Sequence, residues 1–258
     1  MEKLKALNKP VLCHCEDLDL VHKGTFNNSH IQENSDALPN LDISETTNVA
    51  RDLVIAAKTG CHYHICHLAT KESLDLVKFY KSIGCNVTCE VTPHHVVLND
   101  QMIEITPNYK MNPPLRDEKD KNAIIEGLKE GTIDCIITDH APHSVEEKNQ
   151  ELSKAPNGII GFETALSAEI MNLVDPKYIS YMDLVKLTSY NPARILGIDR
   201  GILEEGKIAD ITIFNPNEEY VYTKDIIVSK SKNSPFIDKK LKAKVKYTIV
   251  NGNVVYKD

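Results

Sequence analysis

Along residues 9–197, short apolar runs alternate with amphipathic stretches, the pattern of βα units that build a parallel sheet. Four strand-like runs stand out: PVLCHC at 10–15, CHYHICHL at 61–68, NVTCEVT at 86–92 and TIDCIITD at 132–139. Helical periodicity predicts helices over 46–58, 71–82, 118–129, 163–173 and 182–187. Thr70 with Ser73 marks one helix start, and Gly84 closes the same helix before the third run. After Gly197 the pattern changes to short strand runs with turns, GILEEGKIADITIF and VKYTIVNGNVVYKD, in which Asn251-Gly252 is a hairpin signal. Two polar segments, 23–44 and 140–161, interrupt the rhythm, and loops of that length in a compact domain are usually functional or mobile. The expected organisation is an α/β unit over 1–197 followed by a small β-sandwich-like appendage over 198–258, with no internal repeat.

Composition narrows the function classes. The 258 residues are 41% hydrophobic and 26% charged, with a formal net charge of −7 and no dense Lys/Arg block. Sustained nucleic-acid binding needs phosphate-neutralising cations, so a small ligand is the expectation. Neither a long apolar run nor a signal peptide is visible, which points to a cytoplasmic protein without a membrane partner. Seven cysteines, an odd number scattered through the strand-like runs, fit reduced thiols better than a disulfide framework. With no Trp and only 6% aromatics, Ile, Val and Leu must build the core, as buried parallel strands prefer.

Histidines and acids gather where the strand-like runs end, and in parallel α/β folds those carboxyl ends open onto the active site. His14 ends the first run, His67 the second and Asp139 the fourth. Two neutral imidazoles and a carboxylate are a donor set that Zn²⁺ accepts. Each has an ordinary alternative: a lone strand-end histidine is more often a hydrogen-bonded core or surface residue, and Asp139 could cap the next segment. His62 and His64, two apart, share a strand face and could form a metal pair, although a face packed under a helix is the expected reading. Cys13 and Cys15 flank His14 without a second Cys pair to complete a thiolate site, and His94 and His95 could orient a ligand from behind.

Several longer strings occur in order: HCED at 14–17, HICHLATKES at 64–73, CEVTPHH at 89–95, KMNPPLR at 110–116, GTIDCIITDHAPH at 131–143 and NGIIGFETAL at 157–166. Together with NPARILGI and KIADITIF, they resemble the bacterial type of dihydroorotase in the amidohydrolase superfamily, over essentially the whole chain. The MNPPLR and TDHAPH pair is specific, because related hydantoinases and allantoinases carry different residues after the DH. The resemblance implies the carboxyl-terminal half of a metal-dependent (β/α)₈ hydrolase barrel. It further implies zinc-dependent, reversible hydrolysis of the cyclic amide of dihydroorotate to N-carbamoyl-aspartate in pyrimidine biosynthesis, with two zinc ions per complete site. By position, His14 and His67 look like the histidines of barrel strands five and six that hold one zinc. Asp139 looks like the strand-eight aspartate that binds the other and acts as general acid/base. Asn112 and His143 match substrate-binding side chains, His143 towards a carboxylate, and Asn157 and Gly158 match a loop that lends backbone contacts. Homo-oligomers and aspartate transcarbamoylase are the partners it suggests, a non-catalytic subunit or a hydantoinase-like cyclic amidase being the other readings.

The family pattern also has an HxH pair on strand one, a substrate-gripping arginine and a metal-bridging residue on strand four, none of which this sequence contains. Half a barrel is expected to leave two strand edges unpaired and an apolar inner face open. Neither zinc would have three protein donors, so the chain alone is expected to bind zinc poorly and turn over little substrate.

Overall fold

The structure is a computed structural model that describes residues 1–27 and 36–258. Of the polar segment 23–44, residues 28–35 lie outside the described residues. Four parallel strands, β1 (Val11–His14), β2 (Tyr63–Cys66), β3 (Val87–Val91) and β4 (Cys135–Ile136), form one sheet in sequential order. Helix α1 (Glu2–Ala6) precedes β1, and α2 (Leu18–Val21) and α3 (Ile43–Thr59) lead from β1 to β2. Helix α4 (Lys71–Ser82) joins β2 to β3, and α5 (Pro93–Val97) with α6 (Glu118–Glu130) joins β3 to β4. Helices α7 (Val145–Lys148), α8 (Ala165–Glu169), α9 (Tyr181–Val185) and α10 (Asn191–Leu196) follow β4. The expected helices over 163–173 and 182–187 are thus found as α8 and α9, each continued by a wider π-turn stretch, Ile170–Val174 and Lys186–Tyr190.

Local chemistry accounts for the boundaries. The Thr70 hydroxyl accepts from Ser73 N to start α4, and Asp117 accepts from Asp120 N to start α6. Gly60 and Gly131 end α3 and α6 in the left-handed conformation that spares glycine a Cβ clash. The fourth run is strand over only two residues, because after Ile137, whose N–H still donates to Val91 O at 2.9 Å, the chain turns away to build the segment bearing Asp139.

Alternation along the strands divides the sheet into two faces. Tyr63, Ile65, Val87, Cys89 and Val91 point to the helices and merge with Val49, Leu53, Val77 and Ile124 in the main core. The opposite parity, His64, Cys66, Thr88 and Glu90, lines the other face. Two expectations are corrected here. The helix-covered face of β2 carries Tyr63 and Ile65, not His62 and His64, and the inner face is polar around His64 and Glu90 rather than apolar. The physical reason is that His64 finds partners there: Nδ1 lies 2.7 Å from Thr88 Oγ1 and Nε2 2.9 Å from Glu90 Oε2, which satisfies an imidazole away from water. Among the described residues, β1 and β4 each pair on one side only.

Residues 198–258 contain one antiparallel sheet of three strands, β5 (Ile211–Val221), β6 (Lys240–Val250) and β7 (Asn253–Lys257). Asn251 and Gly252, both at positive φ (49° and 78°), make the tight turn between β6 and β7. Tyr222, Ile227, Phe236 and Leu241 form a second core with Phe26, Met111, Leu115, Ile159 and Ile160, so this region lies under the loops that carry Asn112 and Gly158. Among the described residues, no helix is long and apolar enough to cross a membrane.

Glu169 of α8 is buried, and burial pushes its carboxyl up to about 8. A carboxyl raised in the folded state contributes stability that is complete below its unfolded value of about 4.5 and is lost as pH rises through about 8. Glu169→Gln is expected to remove this dependence. Urea midpoints of the parent should fall relative to the variant across that window, and parallel pH profiles would contradict the assignment.

Candidate metal centre

The carboxyl ends of the strands bring the foremost sequence candidates together. His14 closes β1, and its Nδ1 faces Nε2 of His67 at 3.0 Å, the rings meeting edge-on with centroids 4.7 Å apart. His67 follows β2 at φ 37° and Asp139 follows β4 at φ 46°, a left-handed conformation that non-glycine residues adopt at a cost and that clusters at functional sites. The turn at His67 reverses strand parity, which is how a residue of the opposite parity to His64 reaches His14. Asp139 lies near enough for its charge to favour protonation of both imidazoles.

Opposed effects separate the two histidines. A hydrogen bond with the Glu16 carboxylate, 3.5 Å from His14 Nε2, raises His14 above the ordinary imidazole value. Burial first, then the charge of His14, holds His67 below it. In the neutral tautomer that donates Nε2–H to Glu16, His14 presents its Nδ1 lone pair to the space shared with His67. Asn112 Nδ2 lies 3.3 Å from His14 Nε2, so the MNPP loop also reaches this cluster.

The residues present fit a cation. Tetrahedral zinc with Zn–N bonds of about 2.0–2.1 Å places two donors about 3.3 Å apart, close to the spacing of the two facing ring nitrogens. The other nitrogen of His67, Nδ1, is buried without a hydrogen-bond partner among the described residues, so no ordinary protein network among them holds this ring.

His143, Asn157 and Gly158 form a neighbouring group on the segment 140–161. His143 Nε2 donates to Asn157 O at 2.8 Å, which leaves Nδ1 as its other polar atom. Gly158, at φ 118°, approaches so closely that a Cβ would sit 2.4 Å from the Ala141 Cβ. Glycine is required there. Among the described residues, no hydrogen bond joins this group to the His14–His67 cluster.

Several positioning residues escaped the sequence reading. Glu45 of α3 is buried, and its carboxylate accepts from Ala69 N, Thr70 N and Thr70 Oγ1 at 2.8–3.2 Å, clamping the turn just after His67. Asn233 donates to Ala141 O and Gly158 O and accepts from His143 N, tying the chain before β6 to the His143 loop. Lys148 Nζ donates to Pro107 O and Pro156 O, linking that loop to the one bearing Asn112; burial holds its ammonium down at about 8. His95 supports the Asn112 loop through Pro113 O at 3.1 Å rather than orienting a strand-end histidine. Glu16 sits in the HCED string, but no spacing rule marks it, and Glu45 and Asn233 act only through contacts far away in sequence.

The sequence profile of the amidohydrolase family matches residues 1–255, and the chain belongs to that family. Among curated relatives, the dihydroorotase of Clostridioides difficile (strain 630) is 46% identical over 257 residues, covering 99% of this chain and 61% of the relative. The dihydroorotase of Acetivibrio thermocellus is 45% identical over 249 residues, covering 96% and 58%. The chain thus spans about three-fifths of the length of these relatives. Among solved structures, the L-hydantoinase (dihydropyrimidinase) from Arthrobacter aurescens superposes with a TM-score of 0.89 at 25% identity, covering 99% of this chain and 59% of that one. A D-hydantoinase from Thermus sp. gives 0.88 at 22% identity, again over 59% of its length, and shares the fold. The four-stranded sheet is therefore part of an amidohydrolase barrel, as the resemblance in the sequence implied.

Replacing Glu45 with Ala leaves the two buried backbone donors Ala69 N and Thr70 N without an acceptor, at a cost of about 1–3 kcal/mol for each, while the Thr70 hydroxyl keeps Ser73 Oγ at 2.6 Å. Urea denaturation of Glu45→Ala is expected to show a loss of about 3 kcal/mol. A loss below about 0.5 kcal/mol would show that the clamp does not hold the turn.

Proposed function

We propose that the chain forms part of a dihydroorotase, in which His14, His67 and Asp139 serve metal binding, Asp139 is also the catalytic acid/base, and Asn112, His143, Asn157 and Gly158 bind substrate. The observation that carries this reading is the approach of His14 Nδ1 to His67 Nε2 at 3.0 Å, with the Asp139 charge acting on both rings. Dihydroorotases at 41–46% identity over the chain favour dihydroorotate over other cyclic amides.

Zinc, two ions per complete site, supplies a water-derived nucleophile at neutral pH by lowering the pKa of water to about 7. His14 and His67 would hold one ion and Asp139 the other. Asp139 takes the proton of the attacking water and passes it to the departing ring nitrogen, and the reverse order serves ring closure to dihydroorotate. Asn112 offers an amide donor, and His143, fixed through Nε2, would meet the substrate carboxylate through Nδ1 when that nitrogen also carries a proton, as its position 3.7 Å from Glu147 Oε2 allows. Asn157 and Gly158 shape that side of the site through their backbone. A catalytic zinc takes three protein ligands, more than His14, His67 and Asp139 provide for two ions, so turnover requires further donors from the remaining part of the barrel. This reading places the protein in the cytoplasm with a small-molecule substrate, and a second copy or aspartate transcarbamoylase as its assembly partner.

The test is complementation. Co-expression with the amino-terminal segment of a dihydroorotase relative is expected to yield zinc-dependent hydrolysis of dihydroorotate. Asp139→Asn should lower kcat by about 10²–10⁴-fold, as loss of a general acid/base does. His143→Ala should raise KM for dihydroorotate while sparing hydantoin. Unchanged turnover in Asp139→Asn, or a complemented enzyme that opens hydantoin but not dihydroorotate, would overturn the assignment.

Glu16 orients His14, and loss of such a partner typically costs 10–100-fold in metal affinity. Zinc titration of the complemented enzyme is expected to show a weakening of about that size for Glu16→Ala. Equal affinities would rule out the orienting role.

A further inference from the structure

The inner face of the sheet holds a second set of metal-ligating side chains that the proposed hydrolysis does not use. Cys66 stands opposite His14 in the β1–β2 register, and His64 stands opposite Leu12 on one side and Thr88 on the other. The ligating atoms of His64, Cys66 and Glu90 all lie within 4.8 Å of one another. His64 is almost fully buried, while Cys66 and Glu90 are half-buried.

We propose that His64, Cys66 and Glu90 form a binding site for a borderline-soft divalent cation, zinc above all, made entirely of residues of this chain. Three features support it. First, the imidazole is held at both nitrogens: Nδ1 lies 2.7 Å from Thr88 Oγ1, and Nε2 donates to Glu90 Oε2 at 2.9 Å in the metal-free chain, a bond that a cation would replace as the imidazole proton moves to Nδ1. A hydrogen bond to the non-ligating nitrogen is the usual device that fixes a metal-binding histidine. With the cation bound, Nδ1–H would donate to Thr88 Oγ1, whose own hydrogen would be accepted by His62 Nε2, 2.8 Å away. Second, one thiolate and one carboxylate neutralise a dication, which removes the penalty for a lone charge in a largely buried position. Third, a mixed S, N and O set suits zinc, with bonds of about 2.0–2.3 Å and a fourth position left for water. On binding, Cys66 releases its thiol proton to solvent and donates the sulfur lone pair.

The other thiol cluster lacks this character. In Cys13, Cys15 and Asp52, the carboxylate already accepts from Tyr63 OH at 2.8 Å, Arg51 Nε at 2.8 Å and Asn48 Nδ2 at 3.0 Å, so its lone pairs are committed. Glu90 has only the members of its own cluster as side-chain partners among the described residues. The sequence-based expectation of weak zinc binding concerns the His14–His67 pair and is independent of this site.

Cobalt substitution of the intact chain tests the proposal, because only a sulfur ligand produces a thiolate-to-cobalt charge-transfer band. We expect that band to saturate at one cobalt per chain. Cys66→Ser should lose both the band and the bound equivalent, and His64→Gln should weaken binding at least tenfold, whereas Cys13→Ser, Cys15→Ser and His67→Ala should retain the band. Absence of the band at saturating cobalt, or a band undiminished in Cys66→Ser, would overturn the site. Zinc-edge X-ray absorption of the chain carrying Cys13→Ser and Cys15→Ser decides the matter even if Cys66→Ser does not fold. One sulfur at about 2.3 Å is expected, and a first shell of nitrogen and oxygen alone would refute it.

Discussion

Two ring nitrogens facing each other at 3.0 Å impose the constraint around which the site is organised. Imidazole nitrogens cannot meet at that distance with two protons between them, so the pair must share one proton or turn two lone pairs on a common cation. The surroundings press towards unequal partners: Glu16 favours a charged His14, while burial and that charge disfavour a second one on His67. A divalent metal would resolve the conflict by engaging both lone pairs at once. The chain reaches this arrangement through left-handed backbone at His67 and Asp139, a conformation that a packed surround must impose.

That surround is supplied by interactions far from the strand ends in sequence. Glu45 grips the turn after His67, Lys148 ties the Asn112 loop to the 140–161 segment, and Asn233 ties that segment to the chain before β6. Each buried polar group is matched by several partners, which makes the loops stiff without making them apolar. The second core beneath them, built on Met111, Leu115, Ile159 and Tyr222, joins residues on both sides of position 197. The β strands near the carboxyl terminus therefore follow a segment that helps to set the geometry of the site.

Much of this was legible in the amino-acid pattern. The helix over Lys71–Ser82 was readable to its ends, because Thr70 caps it and the chain turns at Gly84. The strand ends carrying His14, His67 and Asp139 were readable because strand-like apolar runs end at or near those residues, although β4 itself stops at Ile136. What escaped has a common cause. The side of β2 that faces the helices was misjudged, because His64 is buried by pairing with Thr88 and Glu90, and cross-strand partners leave no local signature. Glu16, Glu45 and Asn233 were invisible for the same reason: each acts through the tertiary fold on a residue whose own neighbours in sequence say nothing of it.

The most direct test of the account is anomalous diffraction at the zinc absorption edge from crystals of the chain grown at saturating zinc. The account predicts a peak between His14 Nδ1 and His67 Nε2, about 2 Å from each. Imidazoles turned away from each other, with no anomalous density between them at full saturation, would contradict it.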